Sequence, residues 1–91
     1  EPAAGPAAYS AAKAGMEALI HEVAREEAGQ GVTANCVLPG TMDTPGNRAA
    51  MLGADPSRWV PPSRVASLIL WLASADGGSV SGVAIPIYGE P

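Results

Sequence analysis

The chain has 91 residues, of which nine are acidic and five are basic, giving a net charge of −4. This length allows one domain at most, and the lack of a basic stripe argues against a nucleic-acid partner. Hydrophobic types make up 47% of the residues, but 18 of these residues are alanine, so an isolated core would be thin. The longest apolar run is too short to cross a bilayer, and we expect no membrane association.

A single cysteine, Cys36, excludes an intramolecular disulfide and any multi-cysteine metal site. We therefore expect no bound metal and a reducing, cytoplasmic compartment. The first residue is Glu1 rather than methionine, and we expect the chain to be a fragment or a processed product.

The first half of the chain predicts one long helix followed by one strand. Residues Ala7–Ala28 contain no proline, and apolar residues recur at a helical spacing: Ala8, Ala12, Met16, Leu19, Ile20, Val23 and Ala24. The run Gly29–Gly31 supplies the left-handed stop that helix ends favour. The nearly continuous apolar run Val32–Leu38 predicts a strand buried on both faces, ended by Pro39-Gly40.

The second half predicts a long connection, a helix and a last strand. Thr41–Pro62 contains four prolines and is predicted to be irregular, with one short helix at Asn47–Leu52. Ser63–Ser74 carries apolar residues at helical spacing. Val83–Tyr88 predicts a strand, and Pro86 within it favours an edge position.

The order helix, strand, helix, strand implies two parallel strands joined by a crossover. Two strands and two helices cannot cover both faces of a doubly wound sheet. The fold class is therefore predicted to be α/β. Residues 1–91 would form a single partial domain, the C-terminal αβαβ part of a Rossmann-type parallel sheet, with the N-terminal cofactor half absent.

Tyr9 and Lys13 are four positions apart in the predicted first helix, so they share one face. A phenol titrates near pH ~10 and is a poor acid–base catalyst at neutral pH. A neighbouring ammonium favours the ionised phenol and makes it a better proton donor. The alternative is an exposed pair with no role.

The context of this pair resembles the C-terminal half of a short-chain dehydrogenase/reductase. Its elements are the Tyr9–Gly15 helix start, a strand containing Asn35, the turn Pro39-Gly40, and later Trp71–Ser74 and Ser81-Gly82. The resemblance covers essentially the whole chain. It implies that Tyr9 is the proton donor, and that Lys13 assists Tyr9 and binds the nicotinamide ribose hydroxyls.

The resemblance also implies NAD or NADP as the cofactor. By position, the segment after the strand would contact the nicotinamide carboxamide and the phosphates through Pro39, Gly40, Met42 and Thr44. The Gly-rich phosphate loop that follows the family's first strand has no counterpart in this sequence. We therefore expect the 91-residue chain to be inactive alone and unable to bind a whole dinucleotide.

The irregular connection resembles the substrate loop of the dihydropteridine reductase branch. The run Asp-Thr-Pro-Gly-Asn-Arg is followed downstream by Ala-Asp and a tryptophan. This resemblance implies substrate-loop roles for Asp43, Asn47, Arg48 and Trp59. Trp59 could cover a flat substrate ring, or it could pack the loop onto its own core.

Other polar residues have structural interpretations. We expect His21 to be a solvated surface residue and Cys36 to be a buried apolar filler. Asn35 could bridge backbone groups between strands. Capping of helical turns is the favoured role for Asp43 and Asp55.

The combined expectation is an NAD(P)H-dependent oxidoreductase that reduces a carbonyl or a pterin-like imine of a small-molecule substrate. Homo-oligomer contacts would form through the first helix and the last strand. The alternative is a non-catalytic truncated module that serves folding or self-association. The coding sequence upstream of Glu1 would discriminate the two, because a Gly-rich strand–turn–helix there would support the enzyme.

Overall fold

The computed structural model describes residues 5–89, which form three α-helices and two β-strands. In chain order these are α1 (Pro6–Glu27), β1 (Cys36–Pro39), α2 (Pro45–Ala50), α3 (Pro62–Leu72) and β2 (Ala84–Ile87). Three short 3₁₀ turns lie at Ala28–Gln30, Pro56–Arg58 and Asp76–Ser79. The predicted α/β class is confirmed.

The described residues fall into two compact units. The first unit contains residues 5–36 and 80–84, and thus α1 with the loop before β2. The second unit contains residues 37–79 and 85–89, and thus the long connection, α2 and α3.

Helix α1 is the element that the sequence predicts best. Pro6 occupies the first helical turn, where its missing N–H costs nothing, and alanine-rich sequence favours the interior. The helix tightens into the 3₁₀ turn Ala28–Gln30. It ends at Gly31, which has a φ of 75° and donates its N–H to the Ala28 carbonyl oxygen. The predicted left-handed stop is confirmed. No helix within residues 5–89 is long and apolar enough to cross a bilayer.

Strand β1 begins four residues later than the prediction Val32–Leu38. Residues 32–35 lie outside the ladder, and Val32 is exposed. The Ala34 N–H donates to the Ser81 hydroxyl, and the Ala34 carbonyl accepts from the Gly82 N–H. These bonds go to a loop rather than to a strand, so the ladder starts only at Cys36.

The two strands pair in parallel. The Cys36 N–H donates to the Val83 carbonyl, and the Gly40 N–H donates to the Ile87 carbonyl, so both partners advance by four residues. The last strand is shorter than the predicted Val83–Tyr88 but lies inside it. Pro86 sits in an edge strand of this two-stranded sheet, as predicted.

Helices α2 and α3 both begin with a proline in the first turn. The short helix predicted at Asn47–Leu52 exists but starts two residues earlier, since Thr44 caps it and Pro45 follows. The helix predicted at Ser63–Ser74 ends at Leu72. There the Ser74 hydroxyl donates to the Trp71 carbonyl oxygen and accepts from the Gly77 N–H.

The core is thin in both units. Among residues 5–89 four apolar side chains are buried, Ala24 and Cys36 in the first unit and Val60 and Val65 in the second. The apolar stripe predicted along α1 is buried only at Ala24, while Met16 and Leu19 are exposed. The expectation of a thin core is confirmed.

Asn35 is the polar residue that fixes the first unit. Its side-chain amide donates to the Val80 carbonyl (2.9 Å), and its side-chain oxygen accepts from the Val83 N–H (3.3 Å). The predicted bridging role is therefore confirmed, although the bridge reaches the loop before β2 rather than a strand.

We expect Asn35→Ala to lower the free energy of unfolding by about 1–2 kcal/mol, because the part-buried Val80 carbonyl and the exposed Val83 N–H lose their partner. Urea unfolding of the two proteins measures this difference. Thr33→Ala is the matched control, since Thr33 is exposed and makes no side-chain hydrogen bond among the described residues. Equal losses in the two variants would contradict the role given to Asn35.

Candidate active site

Tyr9 and Lys13 lie in the first half of α1, separated by one helical turn. Tyr9 is 67% exposed and Lys13 is half-buried. Neither side chain has a hydrogen bond or an ion pair with any residue in the range 5–89. Both polar groups are therefore available to a ligand. All the other predicted site residues belong to the second unit.

The segment after β1 presents a backbone edge to a ligand. The amide N–H groups of Met42 and Thr44 have no hydrogen-bond partner within the described residues. Gly40 precedes this edge, and a Cβ built on it would stand 3.6 Å from the Tyr88 ring and 3.8 Å from the Val60 side chain. A Cβ would therefore make ordinary van der Waals contacts with both side chains, and glycine leaves this space unfilled.

This edge suits a nicotinamide carboxamide, which needs N–H donors for its oxygen and room for a flat ring. Free amides at Met42 and Thr44 offer the donors, and Gly40 offers the room. These residues of the second unit thus fit the nicotinamide side of NAD or NADP. In the first unit, Lys13 carries an ammonium, which is a donor suited to hydroxyl groups.

Three side-chain contacts tie α2 to the segment before it. The Thr44 hydroxyl accepts from the Asn47 N–H at 3.1 Å, which caps the helix. The Asn47 side-chain amide donates to the Met42 carbonyl at 2.9 Å. Arg48 donates through Nε and Nη2 to the two carboxylate oxygens of Asp43, at 2.6 and 2.9 Å. Residues 42, 43 and 44 are thereby each bound to the helix.

The capping role predicted for Asp43 is wrong. Thr44 stands one residue closer to the helix and takes the cap, because Pro45 occupies the first helical position. Asp43 pairs with Arg48 instead, and the guanidinium hydrogen bonds hold the pKa of Asp43 below its ordinary value. The prediction for Asp55 is confirmed, since its carboxylate accepts from the Ser57 N–H and its pKa is lowered by that bond.

Val60 closes the loop that carries these residues. Its N–H donates to the Thr41 carbonyl and its carbonyl accepts from the Asp43 N–H, both at 2.8 Å. The Val60 side chain is 1% exposed, so it anchors the bridge between residues 42 and 60 in the core of the second unit.

A cavity of about 220 Å³ opens inside this loop. Trp59 is half-buried and forms part of its wall. The full lining is Arg48, Met51, Leu52, Ala54, Pro56 and Trp59. Whole small-molecule sites occupy about 300–1,000 Å³, so this cavity fits one group of a substrate rather than all of it.

Met51, Leu52 and Pro56 were not predicted as site residues, because no local signal indicates that the loop folds over them. The Asp43–Arg48 contact could have been predicted from the sequence. Asp43 directly precedes the helix cap and Arg48 is the fourth residue of α2, and side chains at these two positions often contact each other. His21 is exposed and Cys36 is buried, both as predicted.

The amino-acid sequence is similar to those of known proteins. Residues 2–89 match the family described as enoyl-(acyl carrier protein) reductase. The 3-oxoacyl-[acyl-carrier-protein] reductase MabA of Mycobacterium tuberculosis is 37% identical over 89 residues, covering 89% of this chain and 36% of that protein. The chain belongs to the short-chain dehydrogenase/reductase family.

Two further relatives widen the picture. Acetoacetyl-CoA reductase of Allochromatium vinosum is 34% identical over 93 residues, which are 93% of this chain and 38% of that enzyme. The structure of a 4-hydroxyisoleucine dehydrogenase complexed with NADH superposes with a TM-score of 0.71 at 26% identity, covering 89% of this chain and 36% of that one. These family members indicate dependence on NAD(P).

The chain thus spans little more than a third of the length of these relatives. The match agrees with the predicted fold class, the C-terminal part of a Rossmann-type sheet. The dihydropteridine reductase branch, in contrast, finds no support in these comparisons.

The Asp43–Arg48 pair should persist throughout the neutral pH range. A carboxylate whose pKa is lowered in the folded state stabilises that state above its unfolded pKa, and the contribution is lost only as pH falls through the lowered value. We expect ¹³C NMR of the Asp43 carboxyl to report a pKa that rises toward the ordinary value in Arg48→Met. Arg58→Met, in the same loop, should leave it unchanged. An unaltered titration in Arg48→Met would contradict the pairing.

Proposed function

We propose that the protein carrying this chain is an NAD(P)H-dependent reductase of a carbonyl compound, with Tyr9 and Lys13 as the catalytic pair. The observation that supports this most is the pairing itself. The two side chains stand one helical turn apart on α1 and have no competing partner among residues 5–89.

Each residue has a definite task in this proposal. When bound, the nicotinamide supplies the hydride that adds to the carbonyl carbon. Tyr9 donates its phenolic proton to the carbonyl oxygen, so the product is an alcohol. Lys13 stabilises the phenolate that remains and binds the ribose hydroxyls. The amides of Met42 and Thr44 hold the carboxamide and thereby orient the ring.

For the substrate we propose a 3-oxoacyl thioester. The relatives reported above are named for 3-oxoacyl-[acyl-carrier-protein] and acetoacetyl-CoA. The loop cavity has Met51, Leu52 and Trp59 on its apolar side, and this side suits a short acyl group. Burial of each methylene there would contribute about 0.8 kcal/mol.

A second candidate substrate is a dihydropterin, as the loop sequence suggested. Trp59 in the cavity wall favours it, because a flat heteroaromatic ring can stack on an indole. Oxidation of NADPH and NADH with acetoacetyl-CoA and with quinonoid dihydropterin separates the candidates. Turnover of the pterin alone would replace the thioester proposal.

In the full-length protein, Tyr9→Phe should lower kcat about 10²–10⁴-fold while NAD(P)H affinity stays nearly unchanged, because only the proton donor is lost. Tyr88→Phe is the matched control, since it removes the other phenol of the chain. Steady-state kinetics and fluorescence titration of NADPH measure the two effects. A Tyr9→Phe enzyme that kept more than about a third of wild-type kcat, against the loss expected, would exclude the assigned role. Lys13→Met should weaken both binding and rate.

We further propose that the 91-residue chain alone is inactive and self-associates. The sequence holds no Gly-rich phosphate loop, and the exposed side of α1 carries Met16 and Leu19, which are 43% and 62% exposed. Apolar patches of this kind commonly mark contact surfaces. In the parent protein the same helix and the last strand would contact a second subunit.

Light scattering of the isolated chain should therefore give a mass above the 9.1 kDa of a monomer. Leu19→Lys should lower the apparent mass, because it places a charge on the apolar side of α1. Glu26→Lys introduces the same residue on the polar side and should leave the mass unchanged. A wild-type monomer at several micromolar would refute self-association.

A further inference from the structure

Residues 41–44, which contain the candidate cofactor edge, are hydrogen-bonded to both sides of the loop cavity. One wall contains Arg48 of α2 and Met51, which follows the helix, and the other contains Trp59. The helix is tied to residues 42–44 by the cap, the Asn47 amide and the Arg48 guanidinium. The Trp59 side is tied through Val60 to the backbone of residues 41 and 43.

Among the three side chains that bind α2 to this edge, Arg48 alone also lines the cavity. Two of its N–H groups are used by Asp43, and its remaining N–H groups have no partner among the described residues. A group that enters the cavity therefore meets Arg48 directly. Asp43, at the other end of the pair, lies between Met42 and Thr44, whose amide N–H groups have no partner among the described residues.

We propose that the Asp43–Arg48 ion pair is a positioning pair that couples occupation of the loop cavity to the grip of the Met42 and Thr44 amides on the nicotinamide. The inference rests on the proposed function and adds a linkage between its two ligands. Substrate in the cavity fixes Arg48, Arg48 fixes Asp43, and the amides on either side of Asp43 are held in place. By linkage, each ligand then raises the affinity for the other by the same factor.

Stability is not the main effect of this pair. Its side chains are 57% and 33% exposed, and exposed ion pairs contribute little to folding. The two-pronged geometry instead fixes the direction of both side chains, which a single hydrogen bond does not. Charge neutralisation by Asp43 also makes Arg48 a weak anchor for an anion, so its position matters more than its charge.

The test is the affinity for NADP⁺ in the full-length protein, measured by calorimetry with and without saturating acetoacetyl-CoA. Oxidised cofactor and a ketone cannot exchange hydride, so the ternary complex is stable and the readout does not depend on turnover. In the wild type we expect acetoacetyl-CoA to tighten NADP⁺ binding about 5-fold or more, within the usual range of coupling between sites. In Asp43→Asn and in Arg48→Gln the factor should fall below about 2.

Two comparisons separate positioning from direct contact and from misfolding. Asp43 does not line the cavity, so a loss of coupling in Asp43→Asn cannot come from a lost substrate contact. The double variant should lose no more than either single one, because the pair acts as a unit. Arg58→Gln, a charge removal in the same loop, should keep wild-type coupling, and all variants should keep the wild-type Tm.

The outcomes also distinguish this inference from the proposed function. A wild-type protein that reduces acetoacetyl-CoA, with variants that keep the wild-type coupling factor, overturns the positioning pair and leaves the function intact. A wild type that tightens NADP⁺ binding less than about 2-fold does the same. A wild type that neither binds NADP⁺ nor turns over overturns both.

Discussion

Two backbone hydrogen bonds at Val60 determine how the loop that carries the candidate site residues of the second unit is built. The connection from Thr41 to Val60 is long for a compact fold, and a loop of this length pays a closure entropy that rises slowly with its length. Val60 offsets that cost. Its buried side chain fixes the C-terminal end of the loop, and its N–H and carbonyl form hydrogen bonds with the N-terminal end, at Thr41 and Asp43. The loop interior can then hold a cavity without further elements to support it.

Inside that closed loop, local polar bonds fix the orientation of α2. Thr44, Asn47 and Arg48 each bind one residue of the preceding segment, so a helix of only six residues is held in place. Isolated helices this short are not stable in water. The same bonds leave the amides of Met42 and Thr44 without a hydrogen-bond partner among residues 5–89. The proposed cofactor edge thus results from the way the loop is stabilised.

The sequence was sufficient where local chemistry decides the outcome. Alanine content and Gly31 define α1, and Asn35 was correctly assigned as a bridge, since an amide within an apolar segment needs partners. Prediction from the sequence failed where tertiary partners compete for backbone hydrogen bonds. The apolar pattern of Val32–Leu38 predicted a full strand, but Ser81 and Gly82 take the bonds of Ala34 and delay the ladder.

For the candidate site too, some features could be predicted from the sequence and others depend on tertiary partners. The Tyr9 and Lys13 pair was found from helical spacing and from family context, and the loop residues Asp43, Asn47, Arg48 and Trp59 were named from resemblance. Their partners could not be predicted, because which residue caps α2 depends on where Pro45 starts the helix. Cavity lining by Met51 and Leu52 depends on how the loop folds on itself, which no local pattern in the chain encodes.

In the first unit, as in the second, a polar side chain holds a loop in place through hydrogen bonds to its backbone. Gly82 has a φ of 79°, and a Cβ there would stand 3.4 Å from the Ala24 Cβ, so the loop lies close against the end of α1. Asn35 fixes both sides of that loop through Val80 and Val83. Among the described residues of this unit two apolar side chains are buried. Hydrogen bonds in its loops therefore contribute stability that a larger domain would obtain from its apolar core. Tyr9 and Lys13 lie at the opposite end of α1 from this loop, where Tyr9 is exposed and Lys13 is half-buried.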